Sequence, residues 1–144
     1  MLRRSVMLRI DRDGVWFHEE APFEHPHVTR TFNEGLGLHP DSGEAIVTIG
    51  GRFCYVRCDG TPFLVQRILL DEQRTQIVLN TGETLDLPSD GFFECEDRVA
   101  VKLDGPRWAR LTRGVYDRLS PYLVLEAGRF TYRLPGGTHP VATG

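Results

Sequence analysis

Cysteine is scarce in this 144-residue chain. Cys54, Cys58 and Cys95 are all there are, and three thiols cannot all pair within one molecule or build a disulfide framework. A reducing, cytoplasmic setting is the expectation. Long apolar runs are missing as well. The stretch 63–70 is broken by Gln66 and Arg67 and falls far short of the roughly 20 residues that cross a bilayer. No membrane span is expected, and no apolar core of signal-peptide length lies ahead of Arg9 and Asp11. Positive charge is not in excess either: 17 Lys and Arg against 20 Asp and Glu leave a formal net charge of −3. Such a chain weakly repels phosphate backbones, which excludes non-specific nucleic acid as a partner.

Catalytic fingerprints are absent. The chain has no Gly-x-Ser-x-Gly, P-loop or dinucleotide motif, and Gly50-Gly51 falls in a hairpin instead of between a strand and a helix. His18, Glu19, Glu20, His25 and His27 have the composition of a metal site without its spacing. Cys54 and Cys58 on an extended segment would stand about 13 Å apart. The sequence names no catalytic residue, no metal ligand and no cofactor, and an enzyme is the less favoured class.

What is present is β-structure. The segment 46–55 ends in Gly51-Arg52-Phe53-Cys54-Tyr55, and 123–132 ends in Gly128-Arg129-Phe130-Thr131-Tyr132. In each copy an apolar strand enters a tight turn and returns with aromatics two apart, the period of a strand. They read as equivalent hairpins. Ahead of the first copy lie a hairpin, Val6 to Ile10 and Val15 to His18 around Asp11-Arg12-Asp13-Gly14, and a helix over about 25–35, with Pro26 in its first turn. Ahead of the second lie Phe92 to Cys95, Val99 to Leu103, and a helix opening at Gly105-Pro106, on which Trp108, Leu111, Val115 and Leu119 form one stripe.

The fold class read from this order is α+β, with two similar β-β-α-β-β halves from an internal duplication, joined by a β-hairpin bridge. The first half is 1–60, the bridge and second half 61–135, and 136–144 a flexible tail. Trp16, Phe17, Trp108 and Phe130 are assigned to the core. Arg110 and Arg113 fall nearly opposite the packed side of the second helix. Their planar guanidinium groups suit phosphate or carboxylate, although a solvated face with Asp117 beside Arg113 is the commoner use of such a pattern.

Ile10-x-x-Asp13-Gly14-x-Trp16-Phe17-His18, then Pro22, Asp59-x-x-Pro62-Phe63, Asn80-Thr81-Gly82 and Arg110-Leu111-x-Arg113-x-Val115-Tyr116-x-x-Leu119 resemble the bacterial family known as domain of unknown function 1285. The resemblance covers most of residues 8 to 134. It implies a duplicated β-rich core with a helix in each half, a second half superficially like pleckstrin-homology folds, and a small-ligand site at the interface with a nucleotide-type ligand and a signalling role. Gly60-Thr61 departs from the usual Asp-Ala-Pro-Phe element of the family. On this reading Arg110, Arg113 and Tyr116 line a cleft near Asp59 and Phe63 and hold a nucleotide-like or other anionic small molecule. The alternative is a protein-interaction module using a strand edge or the second helix, and a homo-oligomer is left open.

Overall fold

Alternation of apolar and polar residues decides most elements of the computed structural model, which describes residues 8–143; Val6 and Gly144 lie outside the described residues. The first half runs β1 (Leu8–Ile10), β2 (Trp16–His18), β3 (Ala21–Pro22), α1 (Pro26–Glu34), β4 (Leu36–Leu38), β5 (Ala45–Ile49) and β6 (Arg52–Arg57). These strands form one sheet in the order β3-β2-β1-β6-β5-β4. The bridge supplies β7 (Phe63–Leu70), β8 (Thr75–Leu79) and β9 (Thr84–Asp86). The second half follows with β10 (Phe92–Cys95), β11 (Arg98–Lys102), β12 (Trp108–Leu111), α2 (Arg113–Leu119), β13 (Leu123–Glu126), β14 (Arg129–Leu134) and β15 (Gly137–Ala142). Bridge and second half share a nine-stranded sheet, β13-β14-β15-β10-β11-β12-β7-β8-β9. The class is α+β, mostly β, with two helices among the described residues.

Each half is β-β-β-α-β-β-β where the sequence predicts β-β-α-β-β. In both, the first and last strands lie side by side and parallel, Leu8 opposite Val56 and Phe92 opposite Val141. The two Gly-Arg-Phe-x-Tyr copies do not hold equivalent places. The first is the β5–β6 hairpin, the last of its half; the second is β13–β14, the one before the last. The strand that follows the second copy is β15, built from the segment expected to be a flexible tail. It pairs with β14 on one side and β10 on the other.

The second helix is shorter than its stripe predicts. Trp108 and Leu111 are in β12, captured between β11 and β7. Both periodicities suit this segment, and pairing on two sides outweighs an isolated helical turn. Helix α2 begins after Thr112, whose hydroxyl accepts from the Val115 amide at 3.5 Å, an N-cap arrangement. Val115 and Leu119 are its buried residues.

Strand β7 joins the halves. Because successive side chains point to opposite faces, Phe63 and Val65 enter the large core of the second half, with Ile77, Phe92, Val101, Leu111 and Tyr132. Leu64 enters the smaller core of the first half, with Ile10, Trp16, Val47 and Val56. Trp16 is fully buried, its indole N–H donating to Asn33 Oδ1 at 2.8 Å. Phe130, assigned to the core from sequence, is 48% exposed, and Trp108 is only partly buried.

Candidate functional site

The β1–β2 turn carries two charged side chains toward the second sheet. The Asp11 carboxylate accepts from the amides of Asp13 and Val15, each at 2.9 Å, and so fixes the turn. Arg12 then reaches three carboxylates: Asp59 through Nε at 2.6 Å, Asp97 through Nη1 at 3.1 Å, and Glu96 through Nη2. Glu96 sits at φ +56°, a left-handed conformation that side-chain-bearing residues seldom adopt outside tight turns. Asp13 accepts two hydrogen bonds from Arg98, at 2.7 and 3.1 Å, and one from the Arg113 amide at 2.9 Å. The Arg98 guanidinium, above all, holds the Asp13 carboxyl below its usual range.

Of the residues singled out from sequence, Asp59, Arg110 and Arg113 meet in this network. Arg110 does so from β12 and not from a helix. With Trp108 it lies on the face of β12 opposite Ala109 and Leu111. Its side chain is 1% exposed, donates to the Asp59 carbonyl at 2.9 Å and approaches Cys95 Sγ at 3.5 Å and Glu96 Oε1 at 3.8 Å. It is therefore closed to solvent, contrary to the expectation of an open helical face. Phe63 is likewise buried in the large core, so its ring covers no cleft. Arg113, at the start of α2, is half exposed, with Nη2 at 3.6 Å from Asp97 Oδ2 and Cζ at 5.7 Å from the centre of the Tyr116 ring.

Four arginines, Arg12, Arg98, Arg110 and Arg113, thus face four carboxylates, Asp13, Asp59, Glu96 and Asp97. The network carries no excess positive charge. From sequence Arg12 and Asp13 belong to the first turn, Asp13 also to the family resemblance, and Glu96, Asp97 and Arg98 to the turn between Phe92–Cys95 and Val99–Leu103. Opposite charges in two turns some 85 positions apart are visible as a cluster only after folding.

Beside the network opens a cleft of about 320 Å³. One wall is the β10–β11 turn, with Glu94, Glu96, Asp97, Arg98 and Val99; the other and the floor are Tyr116, Leu123, Phe130, Tyr132 and Val141. Cross-strand pairing places Leu123 opposite Tyr132 and Leu125 opposite Phe130. At the outer end Leu125 is 64% exposed. Burial, with Tyr116 nearby, pushes the Tyr132 phenol up to about 12, so it lines the cleft uncharged. A wider hollow of about 620 Å³ lies past Arg12, along Arg9, Arg57 and Cys58. There Arg9 pairs with Glu20 at 2.9 Å, and burial raises the Cys58 thiol to about 11, far from a reactive thiolate. No helix among the described residues is long and apolar enough to cross a membrane.

No protein-family model and no curated protein matches the chain. Two solved structures are similar to it. A DUF1285 family protein from Silicibacter pomeroyi DSS-3 is 19% identical with a TM-score of 0.72, over 99% of this chain and 83% of that one. A DUF1285 family protein from Shewanella baltica OS155 is 16% identical with a TM-score of 0.58, over 81% of this chain and 91% of that one. The fold of this chain is therefore the one these DUF1285 family proteins share.

Proposed function

We propose that the chain is a member of the DUF1285 family, that its two halves arose by duplication, and that it works as a small-ligand-binding module through the cleft between α2 and the β13–β15 strands. The matching strand order of the halves supports the duplication. The observation that carries the binding reading is the cleft itself. It has the volume of a small-molecule site, an aromatic and aliphatic floor, and polar groups gathered on one rim. A nucleotide-like anion on Arg110 and Arg113 is the weaker reading, because Arg110 is closed to solvent and every arginine there already has a carboxylate.

A second reading, a protein-docking surface, is favoured by one observation: Leu125 and Phe130 form an exposed apolar pair at the outer end of the cleft. Titration with the neutral probe N-acetyltryptophanamide, followed by NMR, tests the binding reading. Shifts are expected at Tyr116, Phe130 and Tyr132 and are lost in Phe130→Ser. If neither this probe nor a charged analogue binds there better than about 1 mM, the cleft is not a small-ligand site.

A further inference from the structure

We infer that the ligand of this cleft is an organic cation, an apolar body bearing an ammonium or guanidinium group, and that Arg113 is a built-in competitor for the place of that cation. The inference rests on the cleft being the binding site. Three carboxylates, Glu94, Glu96 and Asp97, stand along one wall, and among the described residues Arg98 is the only cation lining the cleft. The Arg98 charge is matched by Asp13 in a two-bond ion pair. Glu94 is exposed and pairs with no cation among the described residues. Glu96 and Asp97 already pair with Arg12, so the uncompensated charge on this wall is that of Glu94; it repels an anionic ligand and attracts a cation, beside an apolar floor where the interaction is less screened than in open water.

Arg113 displays the arrangement such a ligand would take. Its guanidinium lies over Tyr116 at 5.7 Å and beside Asp97 at 3.6 Å, a cation between an aromatic face and a carboxylate. The side chain is half exposed, so it can swing into solvent at little cost in burial. What anchors this position is the backbone, whose amide donates to Asp13, and not the guanidinium.

The experiment uses three probes of one shape at low salt and mildly acidic pH: tryptophanamide (cation), N-acetyltryptophanamide (neutral) and N-acetyltryptophan (anion), each titrated by NMR. Tryptophanamide is expected to bind about tenfold tighter than the anion, with the neutral probe between, and to weaken as salt is added. Arg113→Gln is expected to tighten tryptophanamide severalfold by freeing the Tyr116 ring and Asp97 Oδ2, while Arg12 stays on Oδ1. Glu94→Gln, on the open rim, is expected to weaken it, and its thermal midpoint shows that the fold is intact. Equal binding of all three probes at Tyr116 and Tyr132 overturns the cation assignment and leaves the cleft as a binding site. Tighter binding of the anion, or weaker tryptophanamide binding in a folded Arg113→Gln, overturns it as well. Absence of any shift overturns both this inference and the binding reading.

Discussion

Arg98 donates two hydrogen bonds to Asp13, at 2.7 and 3.1 Å, from a side chain that is 7% exposed to one that is 45% exposed. The pair ties the first β-turn of the chain to β11, and the bond from the Arg113 amide adds α2 to the same carboxylate. Removing the acid strands a buried guanidinium. Asp13→Ala is therefore expected to cost about 1–3 kcal/mol, below the range for a fully buried pair because solvent screens the exposed partner. Urea unfolding at neutral pH measures it. Replacing both residues, Asp13→Ala with Arg98→Met, should recover part of the loss, since the stranded charge is gone.

Stability should fall in two steps on acidification. Burial pushes His139 below the usual imidazole range, so the native state resists a proton that the unfolded chain accepts. Its contribution is whole above about pH 6.5 and declines as pH drops through the lowered native value. Arg98 lowers Asp13 and Arg107 lowers Glu83; their contributions hold above about pH 4 and are lost below it as the carboxylates protonate. Urea midpoints from pH 8 to pH 3 should show both declines. His139→Gln should remove the upper one and leave the lower.

Gly35 ends α1 with its carbonyl accepting from the Thr48 amide at 2.9 Å. A Cβ there would lie 2.3 Å from the Thr48 carbonyl oxygen, backbone that cannot turn aside. Gly35→Ala should cost about 1–3 kcal/mol. Gly37, two residues on in β4, has open space at the same position, and Gly37→Ala should stay within about 0.5 kcal/mol. Thermal unfolding of the two variants separates a steric demand from a general intolerance of side chains in this segment.

Two aromatics of β14 should behave in opposite ways. Tyr132 is 1% exposed and packs on Phe92 with ring centres 4.8 Å apart; Tyr132→Ala should cost about 3–5 kcal/mol. Phe130 is half exposed, and Phe130→Ser should cost less than about 1 kcal/mol while abolishing probe binding. Denaturant midpoints and the NMR titration, run on the same preparations, show whether stability and binding separate.

The first helix was legible because Pro26, the Val28-Phe32 spacing and Gly35 all agree, and the strand-forming segments because they alternate between turn residues. The second helix was misplaced because Trp108, Leu111, Val115 and Leu119 fit a helical stripe, while the parallel partner that holds Trp108–Leu111 extended lies in β7, far away in sequence. The segment Gly137–Ala142 looks like a tail, with Gly136 and Gly137 at its start and Pro140 within it, yet its hydrogen bonds come from β14 and β10. Resemblance and residue type placed Asp59, Arg110 and Arg113 together. They gave no hint that Arg12, Glu96 and Asp97 neutralise them, because that balance is made between turns remote in the chain. The repeated Gly-Arg-Phe-x-Tyr motif marks two real hairpins; its copies sit one strand out of step because a hairpin motif carries no information on which strand comes next to it.

The side-by-side first and last strands of each half have a kinetic consequence. Hairpins such as β5–β6 and β13–β14 join neighbours and close short loops. The β1–β6 and β10–β15 pairs, and the β7–β12 pair that joins the bridge to the second half, each bring together residues nearly fifty positions apart. Their ring-closure entropy must be met before any of their hydrogen bonds form. Local hairpins should thus appear early, and final assembly should wait on three long closures of nearly equal span. Amides that bridge these three parallel seams are then the ones whose protection against hydrogen exchange should arise last during refolding.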